Sequence, residues 1–156
     1  MNDEAANIKA ARIYLDVCCL QRPFDDQRQV RVHLEAEAVK LILAQVEAGE
    51  LIWIGSEVIE YEIAQNPDTE RALKAMLLAA YAGIRVSVGA DESTRAGELE
   101  LLGFTGFDAL HLACAESAGA AVFLTTDDKL LKGAARLADD IRVQVANPLE
   151  WLRRRS

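Results

Sequence analysis

The sequence predicts an α/β protein: a three-layer α/β/α sandwich around a mostly parallel central sheet of roughly five strands. Two observations carry this. Short, continuous apolar runs alternate with longer segments of helical periodicity along the chain. The apolar runs also lack the in-out alternation of a half-exposed sheet, so they read as strands covered on both faces, as parallel strands are.

Taken in order, "RIYLD" (12–16) is the first strand, and "QRPFDDQRQ" after "VCCL" is a polar connection containing Pro23. Val30, Leu34, Ala38, Leu41, Ile42 and Val46 recur at helical spacing up to Gly49. "LIWIGS" (51–56) is the second strand, and Ser56 can cap the following helix, which stops at Asn66-Pro67. Asp68 opens a helix to about Ala82, and "IRVSVG" (84–89) is the third strand. Helices over 92–102 and 107–118 end at Gly103 and Gly119. "AAVFLTT" (120–126) is the fourth strand, Asp127 or Asp128 opens the next helix, and "IRVQVA" (141–146) is the last strand. "NPLEWL" closes as a helical turn, with Asn147 as cap and Pro148 at its first position. Residues 1–11 are expected to be a flexible tail and 12–156 a single domain.

Composition narrows the function. Half the residues are apolar, yet no apolar run approaches the length that spans a bilayer. The polar, acidic "MNDEAANIKA" lacks the order of a signal peptide, so a cytoplasmic protein is expected, with no membrane association. Three cysteines, two of them adjacent, offer neither a disulfide framework nor a CxxC zinc site. The net charge of −8 argues against a broad basic face for nucleic acid. GxGxxG, Walker and GxSxG signatures are absent.

The acids form a pattern. Asp16 ends the first strand, Glu60 and Glu62 follow the second, Asp108 lies in a first helical turn, and Asp127 and Asp128 follow the fourth strand. In doubly wound sheets such positions converge beyond the strands' carboxyl ends. Taken singly, Asp108, Asp127 and Asp128 read as caps, and the two glutamates as solvated helix charges. Together they read as a cluster that crowded carboxylates would tolerate around a hard cation such as Mg²⁺ or Mn²⁺. Such ions activate water and stabilise a phosphate in flight, the chemistry of phosphodiester hydrolysis. His111, three residues after Asp108, reads as a satisfied, partly buried histidine, either core or standing behind the cluster. A phosphate-accepting receiver is disfavoured, because the third strand ends in "VSVG" rather than on an aspartate.

"IYLDVCCL", "SEVIEYEI", "GFDALHLACAESAGAAVFLTTDDKLL" and "VQVANPLEWL" together resemble the PIN-domain family over Arg12 to Leu152. The most specific part is "DALHLACAESAGAAVFLTTD", which resembles the family's Asp, Ala-rich helix, strand and Thr-x-Asp pattern. The resemblance implies a PIN-like fold and a ribonuclease dependent on Mg²⁺ or Mn²⁺. Its four acids map onto Asp16, Glu62, Asp108 and Asp127. Glu62 is chosen because the family's second acid follows the strand-ending small polar residue, here Ser56, by six positions. Glu60 and Asp128 are the alternates, and Cys18 and Thr125 would support the ligands from behind. Many members are toxins of the VapC type, inhibited by a small antitoxin and often homodimeric, so an RNA substrate, an antitoxin and a second copy are the expected partners. Two departures stand out. Cys18 occupies a position where the family commonly has Ser or Thr, which opens the alternative of a catalytically weak binding module. The surface is acidic, which leaves Arg22, Arg28 and Arg31 as candidate RNA contacts.

Overall fold

The computed structural model describes residues 10–155. The expected tail therefore lies almost wholly outside the described residues. β1 (Ala11–Leu15), β2 (Leu51–Ser56), β3 (Ile84–Val86), β4 (Val122–Leu124) and β5 (Gln144–Ala146) form one sheet in the order β3-β2-β1-β4-β5. All four pairings are parallel, with Ile13 opposite Trp53 and Val122, and Leu15 opposite Leu124. Eight α-helices flank it: α1 (Val17–Gln21), α2 (Val30–Glu47), α3 (Glu57–Ala64), α4 (Thr69–Ala79), α5 (Ala90–Leu102), α6 (Gly106–Ser117), α7 (Asp128–Arg136) and α8 (Pro148–Arg155). This is the expected α/β/α sandwich. Among the described residues, no helix is long and apolar enough to cross a membrane.

The chain order fixes where a site can form. From β1 the chain moves outward through β2 to β3, then returns across the sheet to β4 on β1's other side. Right-handed crossovers consequently put the helices before and after β3 on opposite faces. The reversal opens a crevice at the carboxyl ends of β1 and β4. There the Asp16 amide donates to the Leu124 carbonyl at 2.9 Å, so the first residues beyond the two strands lie side by side.

The centre of the sheet is dry. Ile13, Tyr14, Leu15, Ile54, Val122, Phe123 and Leu124 have no exposed surface, and each such aliphatic side chain contributes ~1.5–3 kcal/mol through burial. Tyr14 stacks on Phe123, its register partner, with ring centroids 5.1 Å apart. Gly55 is required for close packing, since a Cβ there would stand 2.9 Å from the Ala82 Cβ.

The structure changes several sequence expectations. Three strands are shorter than expected: β3 ends at Val86, β4 at Leu124 and β5 starts at Gln144. Beyond β4, the Thr125 amide still donates to the Ala146 carbonyl at 3.0 Å, while its side chain is drawn into the crevice. Asp16 is not the last strand residue but the cap of α1, a short helix not read from "VCCL". Helix α2 buries Ala38 and Ile42 and packs Val46 on the core as its apolar spacing indicated, but it is rotated from the rest of that face. Its buried residues are Glu35, Ala36, Ala38, Val39 and Ile42, while Val30, Leu34 and Leu41 are exposed. The cause is Glu35. It is buried because it receives Arg22 at 2.8 Å, Arg31 at 3.1 Å and the Asn147 amide at 2.6 Å. That ionic anchor fixes α2's rotation and joins it to the start of α8.

Candidate active site

Asp16 is where the site begins. β1 leaves the core at this residue, and an extended backbone (φ −63°, ψ 154°) turns the chain into α1. Its Oδ1 accepts from the Val17 amide at 2.8 Å, which satisfies a donor of the first helical turn. Its Oδ2 accepts from the Thr125 hydroxyl at 2.8 Å. Asp16 is thus both cap and crevice acid. Thr125, the residue after β4, also accepts from the Asp127 amide at 3.1 Å, so one hydroxyl ties Asp16 to the loop that carries Asp127.

Cys18 completes this bracket. Its sulfur lies 3.5 Å from Asp16 Oδ2 and 3.4 Å from Thr125 Oγ1, and accepts from the Thr126 amide at 3.3 Å. Cys19 is fully buried and bonds the Leu124 carbonyl, a packing role.

The second acid is selected by its neighbours. Glu60 forms a two-pronged pair with Arg85 at 2.7 and 2.8 Å and is held toward β3. Glu62, just over half a turn further along α3, meets His111 instead, with Nε2 2.8 Å from its Oε1. Asp16, Glu62 and His111 bring ligand-type atoms within 4.8 Å of one another.

His111 is completely buried rather than partly so, and both its nitrogens are engaged. Nδ1 lies 2.6 Å from the Tyr14 hydroxyl, which lies 2.7 Å from Ser56 Oγ; Ser56 in turn accepts from the Ile59 amide at 3.1 Å. One proton arrangement satisfies the whole line: Ser56 donates to Tyr14, Tyr14 to Nδ1, and Nε2–H to Glu62. His111 therefore orients Glu62 and has no nitrogen free for a metal. The sequence placed Ser56 as a cap and left His111 between core and support. The line that joins them was missed. Its one advance signal is Tyr14, a hydroxyl inside an otherwise apolar strand, since buried hydroxyls need partners.

Asp108, in the first turn of α6, is half-buried and bonded by the Thr105 hydroxyl. Burial pushes its carboxyl above the ordinary range, and the charges of Asp16 and Asp127 push it further. Burial likewise raises Asp16, against the opposing pull of His111 and the Thr125 hydrogen bond, and Glu62 adds to the rise. Asp16 thus interacts electrostatically with Glu62 and Asp108, and Asp108 with Asp127. Asp127 caps α7 through the amides of Lys129 (2.9 Å) and Leu130 (3.3 Å). Asp128 turns outward into a bidentate pair with Arg31, 2.8 Å at both contacts.

The donor chemistry fits a hard divalent cation. All four acids offer oxygen, and the raised carboxyls of buried Asp16 and half-buried Asp108 are what a nearby cation would relieve. The candidate RNA arginines have other duties. Arg22 binds Glu35 and Asp25, Arg28 binds Asp26, and Arg31 binds Glu35 and Asp128.

Comparison with solved structures returns the same architecture. A chain of VapBC2 from Rickettsia felis, bound to a promoter DNA fragment, aligns with TM-score 0.52 and 15% identity, covering 87% of this chain and 98% of that one. VapC20 of Mycobacterium tuberculosis, described as a sarcin-ricin loop cleaving toxin, aligns with TM-score 0.53 and 14% identity over 76% of this chain and 92% of its own. A chain of VapBC-1 from nontypeable Haemophilus influenzae gives 0.54 and 13%, over 88% and 98%. Comparison with curated protein sequences gives no significant match. The family model described as PIN domain matches residues 13–136, most of the sheet and all four candidate acids, and the chain belongs to the PIN-domain family.

Proposed function

We propose that this protein is a divalent-metal-dependent endoribonuclease that acts in the cytoplasm as the toxin of a toxin–antitoxin pair. The observation that carries the reading is the meeting of Asp16 and Glu62, from separate segments, with ligand-type oxygens within 4.8 Å of each other beside His111, and with Asp108 near enough to feel the charge of Asp16. Asp16, Glu62, Asp108 and Asp127 would hold one or two Mg²⁺ or Mn²⁺ ions. Such an ion supplies a Lewis acid for the scissile phosphate and lowers the pKa of water. The chain's own residues do the positioning. Thr125 and Cys18 fix the Asp16 carboxylate, and the His111–Tyr14–Ser56 line fixes Glu62 while closing its rear to water. Metal-site supports of this kind typically govern affinity 10–100-fold.

RNA as substrate is supported by family membership and by the similar toxin described as cleaving the sarcin-ricin loop. An antitoxin partner is supported by the likeness to VapBC structures. A homodimer is supported by Leu73, Leu77 and Tyr81, which recur every four residues along and just beyond α4 and are 60%, 61% and 78% exposed.

The alternative, a catalytically weak binding module, rests on Cys18. Thr125 supplies a hydroxyl to Asp16 from another strand, which favours the enzyme. The test is cleavage of a mixed RNA pool with Mn²⁺, with EDTA and with Asp108→Asn. The nuclease reading expects cleavage only in wild type with metal. Idle wild-type protein, or equal cleavage by the variant, would contradict it.

A further inference from the structure

One cluster of cations stands apart from the ion pairs that engage most other basic side chains. Lys129, Lys132 and Arg136 lie at i, i+3 and i+7 on α7, a line of charge roughly 10 Å long on one helical face. All three are exposed, and among the described residues none forms an ion pair with a carboxylate. Asp128 is one competitor. It feels Lys132, yet its carboxylate is occupied by Arg31. The three cations line a cleft of about 280 Å³ between α7 and the start of α6. The facing wall contains Thr105 and Asp108, so one of the candidate acids lies in the cleft itself. Helix α6 also starts without a side-chain cap, leaving first-turn amides on that wall.

In a chain with net charge −8, a concave site lined by three uncommitted cations beside an acid cluster suits an anion that reaches the cluster. We propose that this cleft binds a backbone phosphate of the RNA strand, adjoining the phosphodiester at the acid cluster. The proposal rests on the nuclease reading for the identity of the strand. It assigns Lys129, Lys132 and Arg136 to substrate binding rather than to chemistry, and it locates the RNA grip on α7 rather than on the arginines after β1.

The test separates binding from cleavage. A short fluorescein-labelled single-stranded RNA is titrated in EDTA across a KCl series, and a gel verifies that it stays intact. The protein is wild type, the triple variant Lys129→Ala/Lys132→Ala/Arg136→Ala, or a control with Arg153→Ala, Arg154→Ala and Arg155→Ala on α8. The triple variant should lose about tenfold or more in affinity at low salt. Its slope of log K against log salt should shrink by about 0.7, the value for one lost phosphate on a single strand. Lys132→Arg should keep the wild-type slope, and unfolding temperatures should match wild type. With Mn²⁺, the triple variant should raise KM and leave kcat unchanged. An unchanged slope, an equal loss in the α8 control, or no RNA binding by wild type would overturn the proposal. So would equal competition by millimolar inorganic phosphate, which would make the cleft a small-anion site. If wild type binds RNA with this slope yet never cleaves it, the nuclease reading fails and the cleft stands.

Discussion

Cys18 and Thr125 show how a single hydroxyl can change what a neighbouring residue means. In the sequence, a thiol two residues after the first acid looks like a weakened support. In the structure, Thr125 reaches the same carboxylate oxygen at 2.8 Å, and the Cys18 sulfur fills the space beside it at 3.5 Å. A serine at position 18 has a shorter bond to its oxygen, which would draw back from the Thr126 amide that the sulfur now meets. Cys18→Ser should therefore change RNA cleavage and Mn²⁺ affinity by no more than about threefold, less than a typical hydrogen bond. Thr125→Val should lower Mn²⁺ affinity by ~10–100-fold, because Asp16 loses its orienting donor. Parallel Mn²⁺ titrations of the two variants test this. A large gain in Cys18→Ser would restore the view that the thiol weakens the site.

At the scale of elements, the boundaries that mattered were set by side chains rather than by propensity. Helix α2 was legible from its period but not in its rotation, because no apolar count anticipates a glutamate in the core. Glu35, 1% exposed, joins Arg22, Arg31 and Asn147, and so links the turn after α1, α2 and α8. Glu35→Ala should destabilise the fold by ~2–4 kcal/mol in urea unfolding. That is near the cost of breaking a buried pair, discounted because Arg31 is half in solvent. A loss under ~1 kcal/mol would make the anchor incidental. The five strands, by contrast, were readable in number and place, though three run shorter than their apolar stretches: short, continuous apolar runs can pack only when covered on both faces. The candidate acids could be proposed as a group because they sit at strand exits and helix starts; among them the structure brings the oxygens of Asp16 and Glu62 together. The choice of Glu62 over Glu60 followed family spacing, and the structure adds a physical cause in the competing pulls of His111 and Arg85. The His111–Tyr14–Ser56 line could not be read, since it joins residues 42 and 97 positions apart.

For the whole molecule, the acid cluster trades stability against function. A carboxyl raised in the folded state binds its proton more tightly there than in the unfolded chain. Its stabilising contribution is complete below the ordinary carboxylate range and is lost as pH rises through the raised value. Asp16 and Asp108 both behave this way, so at neutral pH the metal-free protein bears the cost of their burial. Asp108→Asn should melt above wild type in EDTA at neutral pH, and the gap should close as the pH falls into the ordinary carboxylate range. Millimolar Mn²⁺ should reverse the order, because only wild type gains binding free energy in the folded state. A melting temperature for Asp108→Asn below wild type in EDTA would show that this carboxylate is structural.

The central claim is that acids from separate segments meet at one sheet crevice to hold a divalent ion, with Glu62 rather than Glu60 among them. Calorimetric titration of Mn²⁺ into wild type, Glu62→Gln and Glu60→Gln tests it most directly. The account predicts binding by wild type, a loss of tenfold or more for Glu62→Gln, and wild-type affinity for Glu60→Gln, whose carboxylate is engaged by Arg85. No Mn²⁺ binding by wild type, or equal losses in both variants, would contradict it.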